Sequence, residues 1–275
     1  MRVANFLYNA APKNGTVLGV FAASTALEPL FGNNKAKFDA RKFEWIGSMH
    51  QDTASLAIWD GGGQGIKTLD DMLMLNGKGA LKTVIFGSTS PAAITSQHPL
   101  IIKNYFNLPI KIIYGYKGTK GISLAMQRGE VHASGGMFES SVKGAFRNLV
   151  ESGKLKIMVQ FGPDKAVSYF GDATRLYDRL KKPEDRQLMD VLFRQTQLAR
   201  PLAAPPGTPK NRVAALRKAM LDTLRDPALV ADAKRARIAF DPLSGDAAQA
   251  LIEKFYGTPP HLVEQAMALI GRKKK

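Results

Sequence analysis
The stretch KTVIFGSTSP, residues 82–91, passes from an apolar strand pattern straight into hydroxyls and a proline. Lys82–Phe86 reads as a strand. Ser90–Pro91 reads as a helix cap followed by the first helical residue. Pro99 must then break or kink that helix. The alternation continues downstream: a strand over Ile110–Tyr114, a short helix over Gly121–Arg128 closed by Gly129, and a strand over Val131–Ser134. A helix over Phe138–Glu151, closed by Gly153, and a strand over Lys154–Phe161 complete it. Strands alternating with helices predict an α/β sheet with parallel strands.

Working outward, Thr16–Ala22 and Ala54–Trp59 read as buried strands. Thr68–Leu75 reads as a helix, with Thr68 as its cap and Asp70 and Asp71 in the first turn, where negative charge suits the macrodipole. Toward the C-terminus, Pro183–Gln197 reads as a helix, followed by a proline-rich strip over Pro201–Pro209. Thr208–Pro209, Asp226–Pro227 and Thr258–Pro259 are helix starts, and four helices are expected between Pro209 and Ile270. Val3–Ala11 and Val17–Ala26 have a crude leader shape, but Asn5 and Asn9 interrupt the first. The second reads better as a strand after the turn at Lys13–Asn14–Gly15.

The chain has 275 residues, 45% apolar and 23% charged, enough for a real core, which excludes disorder, collagen-like repeats and coiled coil. No apolar run is long enough to span a membrane. With no cysteine, disulfides, a thiol nucleophile and cysteine-type zinc sites are excluded. The 39 basic and 23 acidic residues give a net charge of +16, with four of the bases in the tail Arg272–Lys275. Such a field attracts anions. The bases are scattered and are not interleaved with aromatics in one patch, so no nucleic-acid partner is expected.

Three segments carry candidate chemistry. Gly87–Ser88–Thr89–Ser90 at a strand-to-helix junction, with the N–H groups of Ala92 and Ala93, forms a small anion cradle suited to a carboxylate; ordinary helix capping explains the same residues. In Gly115–Gly121, Lys117 and Lys120 could draw an anion and Tyr116 could wall a pocket; a solvated turn is the plain alternative. Gly135–Gly136–Met137 permits close approach by a ligand or by packed backbone. Other searches fail. In Gly61–Thr68, Ile66 separates the glycine from Lys67, so there is no phosphate loop. There is no nucleophile elbow. His50, His98, His132 and His261 lack metal-ligand spacing. His50 and Asp52 are the one close acid–imidazole pair and read as a surface or hinge contact. The expectation is a non-enzyme with no cofactor and no metal. The alternative is an α/β enzyme acting on an acidic or phosphorylated small molecule.

The ordered set of motifs resembles one family. Ala11–Thr16 is similar to its Pro-Lys-Asp-Gly turn, Gly87–Ser90 to its Gly-Ser-x-Gly loop, and Tyr116–Lys117–Gly118 to its Tyr-Lys-Gly. Arg128–Val131, Ala204–Pro209 and Leu224–Pro227 resemble its Gly-Gly-x-Val/Ile-Asp step, its Ala-Pro-x-Gly-Thr-Pro crossing and its Asp-Pro helix break. The family is the tripartite tricarboxylate transporter substrate-binding proteins, of the Bug or TctC type. The resemblance implies a two-lobe type II periplasmic binding fold, a Venus flytrap. Lobe 1 would be 1–83 plus 200–275 and lobe 2 would be 84–199. It implies a monomer in the periplasm that captures a small organic anion between its lobes and delivers it to membrane permease subunits. Carboxylates would be held by backbone N–H groups and hydroxyls. By this resemblance Gly87, Ser88, Thr89 and Ser90 form the ligand loop, and Tyr116 and Gly118 line the site, with Gly135, Gly136 and Met137 nearby. Ser24 and Thr25 would contribute from lobe 1.

Three departures stand out. The family's signal peptide, first strand and Ala-Gly-Gly-x-x-Asp loop have no counterpart, so lobe 1 is expected to be incomplete at its N-terminus, with an unpaired sheet edge. Ser90–Pro91 replaces a glycine of the ligand loop, so the ligand can differ. Asp172–Leu180 replaces the usual Pro-x-x-Pro-Thr segment.

Overall fold
The computed structural model describes every residue except Ala92, Lys165, Arg237, Ala239 and Lys273–Lys275, so most of the basic tail and one of the two proposed cradle amides lie outside the described residues. The strands are β1 (Gly19–Val20), β2 (Glu44–Ser48), β3 (Ala54–Trp59), β4 (Val84–Gly87), β5 (Ile110–Ile113), β6 (Ala133–Phe138), β7 (Leu155–Gln160), β8 (Thr174–Arg175), β9 (Pro201–Ala204) and β10 (Leu243–Ser244). The helices are α1 (Arg2–Asn9), α2 (Leu69–Gly77), α3 (Ile94–Phe106), α4 (Gly118–Gln127), α5 (Glu139–Lys143), α6 (Arg147–Glu151), α7 (Pro183–Phe193), α8 (Lys210–Arg225), α9 (Pro227–Arg235), α10 (Gly245–Tyr256) and α11 (Pro260–Leu269).

The chain divides into two compact units, both discontinuous. One holds Met1–Asp52 with Gln187–Gln265; the other holds Thr53–Arg186 with the segment that starts at Ala266. Both boundaries fall earlier than the expected 83/84 and 199/200. The first moves because β3 lies hydrogen-bonded between β6 and β7 and therefore belongs to the second unit's sheet.

The first unit is built on an antiparallel sheet in the order β1-β9-β2-β10. Within the expected strand Thr16–Ala22, only Gly19 and Val20 pair, with Ala203 and Leu202, and β1 is the edge of its sheet. Phe21, Phe38, Phe43 and Trp45 form an aromatic cluster, with ring centroids 5.6–6.0 Å apart, and the Trp45 indole N–H donates to the Ala40 carbonyl at 2.9 Å. Tilted and edge-to-face pairs of this kind contribute about 0.5–1.5 kcal/mol beyond area burial. Helix α1 covers β1: a Cβ on Gly19 would stand 2.8 Å from Leu7. Val3 and Phe6 of α1, Leu18 before β1 and Val20 within it are exposed.

The second unit has a six-stranded sheet in the order β5-β4-β6-β3-β7-β8. Strand β4 is parallel to β5 and β6, and β7 to β8, as the alternating pattern predicts. Strand β3 is antiparallel to both its neighbours, so the sheet is mixed rather than parallel throughout. Residues Ala54–Ile58 are all buried, which accounts for the unbroken apolar run in a strand covered on both faces. Thr68 caps α2 in a capping box with Asp71, as read. The expected helix over Phe138–Glu151 splits into α5 and α6, because Gly144 leaves the helical region (φ −95°, ψ −96°).

The four C-terminal helices α8–α11 are present. Asp226 caps α9 by accepting from Leu229 N at 2.9 Å, with Pro227 at the first helical position. Thr208 does not cap α8; its hydroxyl donates to the Pro205 carbonyl at 2.9 Å, and Pro209 precedes the helix. Helix α7 ends at Phe193, and Arg194–Leu198 continues as a 3-10 turn.

Candidate functional site
The loop after β4 is fixed by its own hydroxyls. The ladder between β4 and β5 continues one residue beyond the strands, with Ser88 N donating to Ile113 O at 2.8 Å and Tyr116 N to Ser88 O at 3.2 Å. Ser88 is fully buried. Its Oγ donates to the Ser90 carbonyl at 3.2 Å and lies 2.8 Å from Thr95 Oγ1. Thr95 Oγ1 also accepts from Thr89 N at 3.2 Å. The Ser96 hydroxyl lies 2.9 Å from each of the carbonyls of Ser90, Pro91 and Ala93. These contacts tie residues 88–91 and Ala93 to the start of the helix. Helix α3 therefore starts at Ile94 with Ala93 before it; Ser90 is not its cap, and Pro91 is not its first residue. Thr89 is half-buried and Ser90 exposed, so their hydroxyls are the accessible ones of the loop.

Thr95 and Ser96 are the residues that sequence reasoning missed. Their signal is the hydroxyl spacing in STSPAAITS, residues 88–96, which looks like loop composition until both ends are seen to meet. A Thr95→Val substitution keeps the shape, removes one of the two partners of the Ser88 hydroxyl and strands the Thr89 N–H. It is expected to lower the unfolding free energy in urea titrations by about 1–3 kcal/mol, and Thr95→Ser by less.

The loop after β5 carries Tyr116 and Gly118. Helix α4 begins at Gly118 (φ 70°), three residues before the expected start at Gly121. The Tyr116 ring lies over Gly87, where a Cβ would stand 3.3 Å from Tyr116 Cε2 and 2.7 Å from Ile122 Cγ2. The Glu130 carboxylate, which Arg128 holds at 2.6 Å, lies near the Tyr116 hydroxyl. Burial, with Glu130 beside it, raises the Tyr116 phenol above its usual range. Lys117 and Lys120 are exposed.

Gly135, Gly136 and Met137 lie inside β6, not in a loop after a strand ending at Ser134. Helix α3 presses on them. Pro99 has no N–H to give the Thr95 carbonyl, and β6 approaches at that point: a Cβ on Gly135 would collide with the Pro99 ring and stand 2.9 Å from Thr95 O. Gly136 has φ 64°, a region that favours glycine, and its Cβ would stand 3.0 Å from Thr95 N. The Met137 side chain sits in the apolar core, and its carbonyl accepts from Ser55 Oγ at 2.8 Å. For these three residues, close packing by α3 and the core is the arrangement found.

The second unit thus brings Gly87–Ser90, Tyr116, Gly118 and Gly135–Met137 together at the carboxyl ends of the parallel strands β4, β5 and β6. That is where open α/β sheets place their ligands. Ser24 and Thr25 belong to the first unit, in a 3-10 turn over Ala23–Leu27. There Thr25 is buried and Ser24 half-buried, and the turn packs against the 3-10 turn Arg194–Leu198. His50 Nε2 and Asp52 Oδ2 are 3.6 Å apart, within ion-pair reach but too long for a hydrogen bond. Among the described residues no group of three His, Cys, Asp or Glu could hold a metal ion. No described helix is long and apolar enough to cross a membrane.

No family model and no curated protein sequence matches this chain. Solved structures do match. A TctC solute binding protein from Polaromonas, without ligand, is similar with a TM-score of 0.67 and 16% identity over 93% of this chain and 80% of its own. The periplasmic binding protein BugD is similar with a TM-score of 0.66 and 18% identity over 100% of this chain and 83% of its own. The fold is that of the TctC-type solute-binding proteins. MatC (Rpa3494) from Rhodopseudomonas palustris, with bound malate, is similar with a TM-score of 0.57 and 15% identity over 98% of this chain and 82% of its own.

Proposed function
We propose that this chain is a periplasmic solute-binding protein that captures a small organic carboxylate for a tripartite tricarboxylate-type transporter, working as a monomer and without catalysis. The observation that carries this reading is the hydroxyl-pinned loop Ser88–Ser96 at the carboxyl end of β4, flanked by the ends of β5 and β6. It offers the Thr89 and Ser90 hydroxyls on a rigid base, donors suited to carboxylate oxygens; the Ala93 N–H of the expected cradle is instead given to the Ser90 carbonyl at 3.1 Å. A net charge of +16 draws anions toward such donors. The TctC-type fold and the malate held by MatC point the same way. Membrane permease subunits are the partners this role requires.

The test is a thermal melt of the full chain against succinate, malate, citrate, benzoate and glutamate. One or two acids are expected to raise the transition, by the equivalent of about 2.7 kcal/mol at a hundredfold excess over Kd. Replacing Thr89 and Ser90 together by alanine is expected to abolish that gain while leaving the melt of the free protein in place. A cooperative melt that no acid shifts would overturn the reading.

A further inference from the structure
The chain contains two Asn-Gly pairs, Asn14–Gly15 and Asn76–Gly77, and holds them in opposite ways. Asn14 is exposed, in the turn before β1. Its side-chain Oδ1 accepts from Thr16 N at 3.1 Å and from Thr16 Oγ1 at 2.6 Å, which folds the carboxamide back over the Gly15 peptide. Gly15 sits at φ 83°, and no described residue accepts from its N–H. Asn76 is part of α2, and Gly77 is that helix's last residue, so the Gly77 nitrogen is fixed in helical geometry and turned into the helix ladder.

We propose that Asn14 is a site of slow self-modification and that Asn76 is not. The Gly15 backbone nitrogen gives its proton to solvent and attacks Asn14 Cγ. Nδ2 takes a proton from solvent, the Cγ–Nδ2 bond breaks, and ammonia leaves. Water then opens the resulting cyclic imide at either carbonyl, giving an aspartyl or an isoaspartyl residue. The fold favours this at Asn14 for two reasons. The attacking nitrogen is unengaged, and the oxygen that gains negative charge in the tetrahedral intermediate already receives two hydrogen bonds, in the manner of an oxyanion hole.

The product places a carboxylate beside Lys13, and the isoaspartyl form adds a backbone methylene just before β1. Strand β1 is held by only two paired residues at its sheet edge, so the insertion falls where the ladder has least to resist it.

The test is incubation of the full chain at mildly alkaline pH over days, followed by peptide mapping by mass spectrometry. Conversion of amide to acid is expected at Asn14 at least about tenfold faster than at Asn76, and several-fold slower in Thr16→Val, which loses one of the two donors. Asn14→Gln is expected to abolish it. Equal conversion at the two asparagines, conversion at neither, or an unchanged rate in Thr16→Val would overturn the proposal. Hydrogen exchange at the Val20 amide is expected to quicken in the converted chain; unchanged exchange would overturn the link to β1.

Discussion

Replacing Gly135 by valine is expected to cost about 3 kcal/mol or more of stability and to lower the melting transition by roughly 6–12 °C. The first side-chain atom would meet the Pro99 ring and the Thr95 carbonyl. Neither can rotate away, because one is a closed ring inside α3 and the other is backbone. Relief would require α3 to lift from β6, which would also pull on the Ser88–Thr95 contact at the base of the candidate loop. Gly121→Ala is the matched control. Gly121 has ordinary backbone angles inside α4, and its nearest neighbour would be 4.0 Å away, so alanine there is expected to stabilise by about 0.5–1 kcal/mol. A loss below about 1 kcal/mol for Gly135→Val would mean that α3 is not seated on β6 as described.

The second large effect is acid sensitivity from His98. This residue is buried in α3, edge-on to Phe161 at 5.1 Å between ring centroids, and burial pushes its imidazole down to about 3. In the unfolded chain it titrates near its ordinary value of 6.5. Above that pH neither state binds the proton, and His98 adds no pH dependence. Below it the unfolded chain takes a proton that the folded chain refuses. Stability therefore falls as pH falls, by about 1.4 kcal/mol per unit, until the folded group itself titrates near 3. Urea titrations between pH 6.5 and pH 5 sample this window before most carboxylates protonate. His98→Leu is expected to remove most of that slope, roughly 1 kcal/mol per unit relative to the parent. Parallel pH profiles for the two proteins would refute the account.

Much of the second unit was legible because its elements are locally consistent. Lys82–Phe86, Ile110–Tyr114 and Lys154–Phe161 have strand patterns bounded by turn residues, and each overlaps a strand of the structure. Thr68 with Asp71, and Asp226 with Pro227, announce helix starts through chemistry that is complete within four residues. What could not be read depends on partners far along the chain. The start of α3 is displaced because Thr95 and Ser96 reach back to residues 88–91 and Ala93, a competition that propensity does not register. Gly135–Gly136 reads as punctuation, yet β6 runs through it because α3 needs a surface without side chains there. The direction of β3 is set by its neighbours β6 and β7, and its own alternation is the same in either sense. In the candidate loop, the hydroxyl-rich composition was visible, but not which hydroxyls are committed inward: Ser88 is buried in the scaffold, whereas Ser90 faces water.

The exposed apolar side chains of Val3 and Phe6 on α1, and of Leu18 and Val20 at the edge strand β1, have a consequence for how molecules of this protein behave toward one another. An open edge next to exposed apolar side chains invites association, while a net charge of +16 opposes it. The two forces have different ranges. Repulsion between charges reaches about 30 Å at 0.01 M salt but only about 3 Å at 1 M, whereas attraction between apolar side chains is not screened. Ionic strength thus acts as a control on colloidal stability: dilute buffer keeps the molecules dispersed, and concentrated salt lets their edges meet.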